Sequence, residues 1–202
     1  MQVYKIYPRG FASNSYLLTE DGKRAVCIDP AQPRVLNEVK KLGLTVTHVL
    51  LTHGHFDHIG GIAALQAEGA KVGCLSGEER LAIADNLSES LGEGLEIPSF
   101  FIDFTLKDGE IMELADLQIK VIATPGHTAG SACYLVANYV FTGDTLFQGS
   151  VGRCDLPTGS MSKLTASVKK LYALNGDYTV CAGHGEDTTL ENERKYNGVV
   201  RA

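Results

Sequence analysis

The chain has 202 residues, 44% hydrophobic and 21% charged, with 24 acidic against 18 basic side chains for a net charge of −6. This size and balance fit one globular domain with a sizeable core and exclude a disordered tail or a collagen-like repeat. No apolar run of about 18 residues is present, so no membrane span is expected, and the acidic balance argues against a nucleic-acid binder.

Met1 to Lys5 lacks the basic-then-apolar pattern of an export signal. The five cysteines are widely spaced with no C-x-x-C pair, which argues against a disulfide scaffold or zinc ribbon. A reduced, cytoplasmic protein is the expectation. Strand-like runs cover Val3 to Tyr7, Ser15 to Thr19 and Arg24 to Asp29, the last two joined by an Asp21-Gly22 hairpin turn. Val35, Leu36, Val39 and Leu42 stand at helical spacing between Pro33 and Gly43. A β-branched run from Val46 to Leu51 follows, and Asp57 is expected to N-cap a helix carrying Ile59, Ile62 and Leu65.

Lys71 to Leu75 reads as a strand, Glu78 to Asp85 as a short helix, and residues 86–100, rich in Gly, Ser and Glu, as a lid or insertion. Four more strands are predicted near Glu110–Leu114, Leu117–Ala123, Ala132–Ala137 and Tyr139–Thr142. A helix from Ser160 to Leu174, a strand near Thr179–Cys181 and a terminal helical turn over Asn192 to Tyr196 complete the chain. Strands arrive in runs with helices between the runs, which predicts two sheets with helices outside, a layered α/β architecture.

Five of the six histidines lie just past strands. The segment Thr52-His53-Gly54-His55-Phe56-Asp57-His58 places three histidines and an aspartate within six positions at the end of a strand. In an extended or turning backbone His53 and His55 point to one side. Asp57 and His58 sit on the next helical turn. One histidine there would read as a solvated loop, and Asp57 alone as a helix cap. The combination offers the neutral imidazole and carboxylate ligands that zinc and iron accept. Pro125-Gly126-His127, Gly143-Asp144-Thr145 and Gly183-His184-Gly185 each add one ligand-type residue after a strand, where a rigid frame aims it. His48 falls inside a strand and reads as structural or surface-facing.

H-x-H-x-D-H at 53–58 with His127, Asp144 and His184 in this order resembles the metallo-β-lactamase superfamily, from about Tyr16 to Glu186. The resemblance implies a four-layer αβ/βα sandwich formed as a single domain over 1–202. It implies two divalent metal ions, zinc first with iron or manganese as alternatives. His53, His55 and His127 would hold one ion, Asp57, His58 and His184 the other, and Asp144 would bridge them. Asp29 would support the site from behind the ligands. The implied reaction is hydrolysis of an ester-like bond by a metal-bridging hydroxide, with Asp57 handling the proton.

The stretch Gly143 to Phe147 with Gly149 to Pro157 is similar to the glyoxalase II-like hydroxyacylglutathione hydrolases. This implies a small-molecule hydroxyacyl thioester such as lactoylglutathione as substrate. Arg153 stands where those enzymes hold substrate, and it reads equally as a partner of Asp155. Asp155 replaces a tyrosine of the full-length enzymes, and their C-terminal helical glutathione-binding domain is not expected in this chain. Cys154 has no evident base and is not read as catalytic. The alternative reading is a mononuclear iron oxidoreductase resembling persulfide dioxygenases.

Overall fold

In the run Tyr16-Leu17-Leu18 successive side chains point to opposite faces of a strand, and all three are buried. Ala25-Val26-Cys27-Ile28 and Val49-Leu50-Leu51 repeat the pattern. Strands buried on both faces belong inside a layered structure, and the computed structural model, which describes residues 1–79 and 97–202, has that arrangement.

Strands β1 (Gln2–Ile6), β2 (Ser15–Thr19), β3 (Arg24–Ile28), β4 (Thr45–Leu51), β5 (Lys71–Leu75) and β6 (Phe104–Leu106) form one sheet in that order. β1 to β3 pair antiparallel, and β3 to β6 pair parallel. The second sheet runs β12 (Thr188–Thr189), β11 (Thr179–Ala182), β10 (Tyr139–Gly143), β9 (Ala132–Val136), β8 (Leu117–Ala123), β7 (Ile111–Leu114). Only β10 and β11 are parallel there. Parallel neighbours need crossovers. Helix α1 (Val35–Lys41) links β3 to β4, α2 (Phe56–Ile59) and α3 (Ile62–Ala67) link β4 to β5, and α4 (Met161–Tyr172) links β10 to β11. Helix α5 (Leu190–Tyr196) follows β12.

Three apolar interfaces bind four layers. Val35, Val39, Ile59, Ile62 and Leu65 of the first helical layer pack on Leu17, Cys27, Val49, Leu51 and Val72. Between the sheets, Tyr16, Leu18, Val26, Ile28 and Leu50 meet Ile119, Val121, Tyr134 and Phe141. Val168, Leu171, Tyr172 and Leu190 cover the far face on Ile122, Cys133, Val140 and Val180. Each fully buried Leu, Ile or Val contributes about 1.5–3 kcal/mol relative to exposure. This is the αβ/βα sandwich expected from the sequence.

Several predicted boundaries move. Asp57 is not an N-cap: His55 occupies that position with extended backbone, and Asp57 lies within the first turn of α2. The last helix starts at Leu190 rather than Asn192, because the Thr189 hydroxyl caps it by accepting from the Asn192 N–H at 3.1 Å. β9 stops at Val136, before Ala137 turns left-handed at φ 50°. β6 and β12, three and two residues long, carry too little periodicity to read from sequence. Most of the predicted helix over 78–85 and of the 86–100 lid lies outside the described residues. Of its described end, Ile97 and Phe100 pack against the first sheet's outer core. No described helix is long and apolar enough to cross a membrane.

Candidate metal centre

The seven candidate ligands converge at one edge of the sandwich. His53, His55, Asp57 and His58 follow β4 of the first sheet, while His127 follows β8, Asp144 follows β10 and His184 follows β11 of the second. Imidazole nitrogens of His53, His55 and His127 lie within 4.8 Å of one another, and so do ligand atoms of Asp57, His58 and His184. His127 Nε2 stands 2.8 Å from His55 Nδ1 and 3.1 Å from His53 Nε2. His184 Nε2 stands 3.1 Å from Asp57 Oδ2. Asp144 lies between the two groups. Its Oδ2 is 3.6 Å from His127 Nε2 and 3.7 Å from His184 Nε2, and its Oδ1 is 3.3 Å from His58 Nε2. His48 takes no part; its ring contacts Thr47 and Phe104.

The ring nitrogens facing away from the centre are tied down, which sets the tautomers. His58 Nδ1–H donates to Asp29 Oδ2 at 2.9 Å. The Thr52 hydroxyl donates to the same Asp29 oxygen at 2.6 Å and accepts from His53 Nδ1–H at 3.1 Å. The Thr52 backbone N–H donates to Asp29 Oδ1 at 2.8 Å. His127 Nδ1–H donates to the Arg153 carbonyl at 2.7 Å. In His53, His58 and His127 the remaining Nε2 lone pair therefore faces the centre.

Asp29 holds this post with a left-handed φ of 48°, a conformation that a short polar residue tolerates. Gly143, also left-handed at φ 48°, packs directly against Thr52: a Cβ there would lie 2.1 Å from the Thr52 hydroxyl.

Electrostatics separate the two groups. Burial, then the neighbouring imidazoles, holds His53 well below its ordinary value. Burial and His127 lower His55 to about 4. Both rings are thus neutral and ready to donate lone pairs. For His58 burial opposes protonation, but Asp57, Asp144 and Asp29 together outweigh it and raise the ring well above the ordinary range. His184 is raised against burial by Asp57 and Asp144. Despite burial, Asp57 and Asp144 are lowered, chiefly by His58. The imidazoles of the second group thus hold a proton more readily than those of the first, and a metal cation would compete with that proton for the same Nε2 lone pairs.

The donor set fits metal ions. Among the described residues, His55 Nε2, His58 Nε2 and Asp144 Oδ1 are buried side-chain polar atoms without a hydrogen-bond partner. An unpaired buried polar atom is costly. His58 Nε2 and Asp144 Oδ1 lie together between the two groups, and a cation taking both lone pairs would satisfy them.

A cavity of about 390 Å³ opens onto the centre, lined by His55, Asp57, His127, Asp144 and His184 and walled by Phe11, Phe56, Phe147 and Leu156. Arg153 also lines it, with its guanidinium held in a bidentate pair by exposed Asp155 at 2.7 and 2.8 Å. Cys154 is half-buried and belongs to none of the ligand groups.

Sequence reasoning missed the supports. Thr52 was visible only as the residue before His53. Glu78, 2% exposed, accepts from the Gly54 and Gly130 N–H groups, and burial raises its carboxyl pKa. Asn14 and Tyr16 bond the Ala182 carbonyl beneath the His184 turn. Their partners are mostly backbone atoms, which carry no residue signature.

Residues 8–184 match the family model of the metallo-beta-lactamase superfamily. A curated relative, hydroxyacylglutathione hydrolase GloC of Haemophilus influenzae, is 34% identical over 205 residues, covering 98% of this chain and 97% of that one. Among solved structures, BLEG-1 B3 metallo-beta-lactamase superposes with a TM-score of 0.92 at 32% identity, covering all of both chains. TTHA1623 in a di-iron-bound form does so with a TM-score of 0.86 at 34% identity, covering 96% of this chain and 98% of that one. Fold, ligand pattern and full-length similarity agree: the chain belongs to the metallo-β-lactamase superfamily.

Proposed function

We propose that the protein is a dinuclear metal-dependent hydrolase of small hydroxyacyl thioesters. The observation that carries this is the pairing of two complete three-ligand groups around Asp144, with His58 Nε2 and Asp144 Oδ1 unpartnered between them. His53, His55 and His127 would hold one ion, Asp57, His58 and His184 the second, and Asp144 both. Zinc or iron suits this His/Asp set, and the di-iron form of TTHA1623 supports room for two ions in this fold. Such a pair of ions supplies Lewis acidity and lowers the pKa of water toward neutrality.

The chain's own groups do the rest. Asp57 Oδ2, ionised beside His58 and His184 and open to the cavity, accepts the proton that water gives up on attack and returns it to the departing thiolate. Phe11, Phe147 and Leu156 receive the apolar part of the substrate and exclude water. Arg153 meets a substrate carboxylate by exchanging Asp155 for it. That exposed pair contributes little, so the exchange is easy. The thioester class is supported by the similarity to GloC. All five cysteines are free and four are buried, which supports a reducing, cytoplasmic setting.

The test is metal analysis of purified protein with a panel of thioesters including lactoylglutathione. Two metal equivalents with thioester hydrolysis are expected. Two metals without hydrolysis of any thioester would reject the substrate class. A single iron with oxygen uptake on a glutathione persulfide would move the reading to the oxidoreductase alternative.

A further inference from the structure

Glu78 follows β5 of the first sheet, yet it joins neither that strand nor the ligand set. It is a carboxylate buried to 2% exposure, with both oxygens in use. Oε1 accepts from the Gly54 N–H at 2.9 Å, between His53 and His55. Oε2 accepts from the Gly130 N–H at 2.9 Å, in the turn after His127. The side chain therefore spans two loops from different sheets, and those loops carry all three histidines of the first group. Gly130 leaves the space this requires: a Cβ there would lie 2.5 Å from Glu78 Oε2 and 2.9 Å from the Glu78 backbone nitrogen.

The loop after His127 is braced again within itself, with the Ser131 hydroxyl accepting from the Thr128 N–H at 3.0 Å. The second group is tied by a different segment: the Ser13 N–H donates to the Asp57 carbonyl at 2.9 Å and the Asn14 N–H to the Gly183 carbonyl at 2.7 Å. Asp57 and His58 ride on α2, and His184 sits on the turn after β11, whose Gly183 N–H donates to the Gly143 carbonyl at 2.8 Å.

We infer that Glu78 is a positioning residue for the three-histidine metal position: it clamps the His53–His55 turn to the His127 turn and so sets the spacing of the three imidazoles. A buried carboxylate accepting from two backbone N–H groups forms short, directional, charge-assisted hydrogen bonds. Metal-supporting groups outside the ligand sphere typically tune affinity about 10–100-fold. The inference rests on the dinuclear reading proposed above.

The experiment is cobalt(II) binding to metal-free wild-type protein and to E78Q, followed by competition titration and by the visible cobalt spectrum, alongside the melting temperature of each metal-free protein. E78Q keeps shape and volume but presents an NH₂ to one of the two N–H donors. Its affinity at one of the two positions should fall about 10–100-fold, with the cobalt spectrum altered at that position, the other position unchanged, and the metal-free melting temperature within a few degrees of wild type. Gly130→Ala, which displaces the Glu78 carboxylate directly, should weaken the same position. It supplies the comparison if E78Q folds poorly. Unchanged cobalt affinity in both variants, or equal weakening of both positions, overturns the role of Glu78 while leaving the dinuclear reading intact. Wild-type protein that takes up no cobalt overturns both.

Discussion

Asp29 Oδ2 lies 2.9 Å from His58 Nδ1, and this one oxygen also takes the Thr52 hydroxyl that in turn receives His53 Nδ1–H. A single carboxylate behind the ligands thereby fixes the tautomers of two imidazoles, one in each group. Asn at position 29 keeps the shape and accepts the left-handed backbone, but it can place an N–H donor where two donors now point. D29N should fold and yet bind metal about 10–100-fold more weakly at both positions, as read by competition titration. Weakening at only one position would break the link through Thr52.

Asp57 is proposed both as a ligand and as the proton carrier. D57N should lower kcat for a thioester by about 10²–10⁴-fold, with a smaller change in KM, in protein whose metal content is measured on the same sample. Loss of activity that tracks metal content one-for-one would assign Asp57 to ligation alone.

Acid should strip the two positions in order. His58 and His184 are raised above the ordinary histidine value, so protons compete for them as the pH falls below neutrality. His55 stays neutral down to about 4, and His53 is likewise lowered. Metal content after dialysis through a pH series should therefore fall from two equivalents to one before it falls to none. Simultaneous loss would contradict the electrostatic separation of the groups.

The metal-free protein should respond to pH in the opposite sense. The folded-state value of His58 lies above its ordinary 6.5, so the stability it contributes is complete below that value and is lost as pH rises through the raised one. Melting of the chelated protein should fall as the pH rises from 6.5 into the alkaline range, and loading with metal should remove the drop. A melting temperature flat across that range would show that the carboxylates around His58 do not hold its proton.

Gly143→Ala tests the packing under Asp144. The added methyl would meet the Thr52 hydroxyl in a left-handed backbone. Overpacking costs about 1–3 kcal/mol and the backbone about 1–2 kcal/mol. A fall of at least several degrees in melting temperature, with weaker metal binding, is expected from calorimetry and titration.

The convergence of the candidate ligands was legible because ligand-type side chains fell just past strands at seven positions. The layers were legible because Ala25 to Ile28 is a continuous apolar run of strand length and Leu117 to Val121 alternates buried and exposed positions. What stayed hidden has a common cause. Glu78, Asn14 and the Arg153 carbonyl act through backbone groups, and Thr52 acts through a residue 23 positions away. Asp57 looked like a helix cap because Asp is a common one, but the cap position falls two residues earlier, on His55. Arg153 carried two readings in the sequence, and the structure shows its guanidinium paired with Asp155 on the cavity wall.

The division of the ligands between the sheets has a consequence for how the protein is built. The segment up to residue 58 brings four of the seven candidate ligands and the segment from 127 onward brings three, and neither segment alone completes a group. An emerging chain that has folded only its first sheet has two imidazoles at one position and a carboxylate and an imidazole at the other. A metal held by these residues would thus be a keystone, set only after both halves of the arch are standing. Once in place it would resist the sliding of one sheet over the other. Two fragments split between those segments should gain high affinity for metal only when mixed.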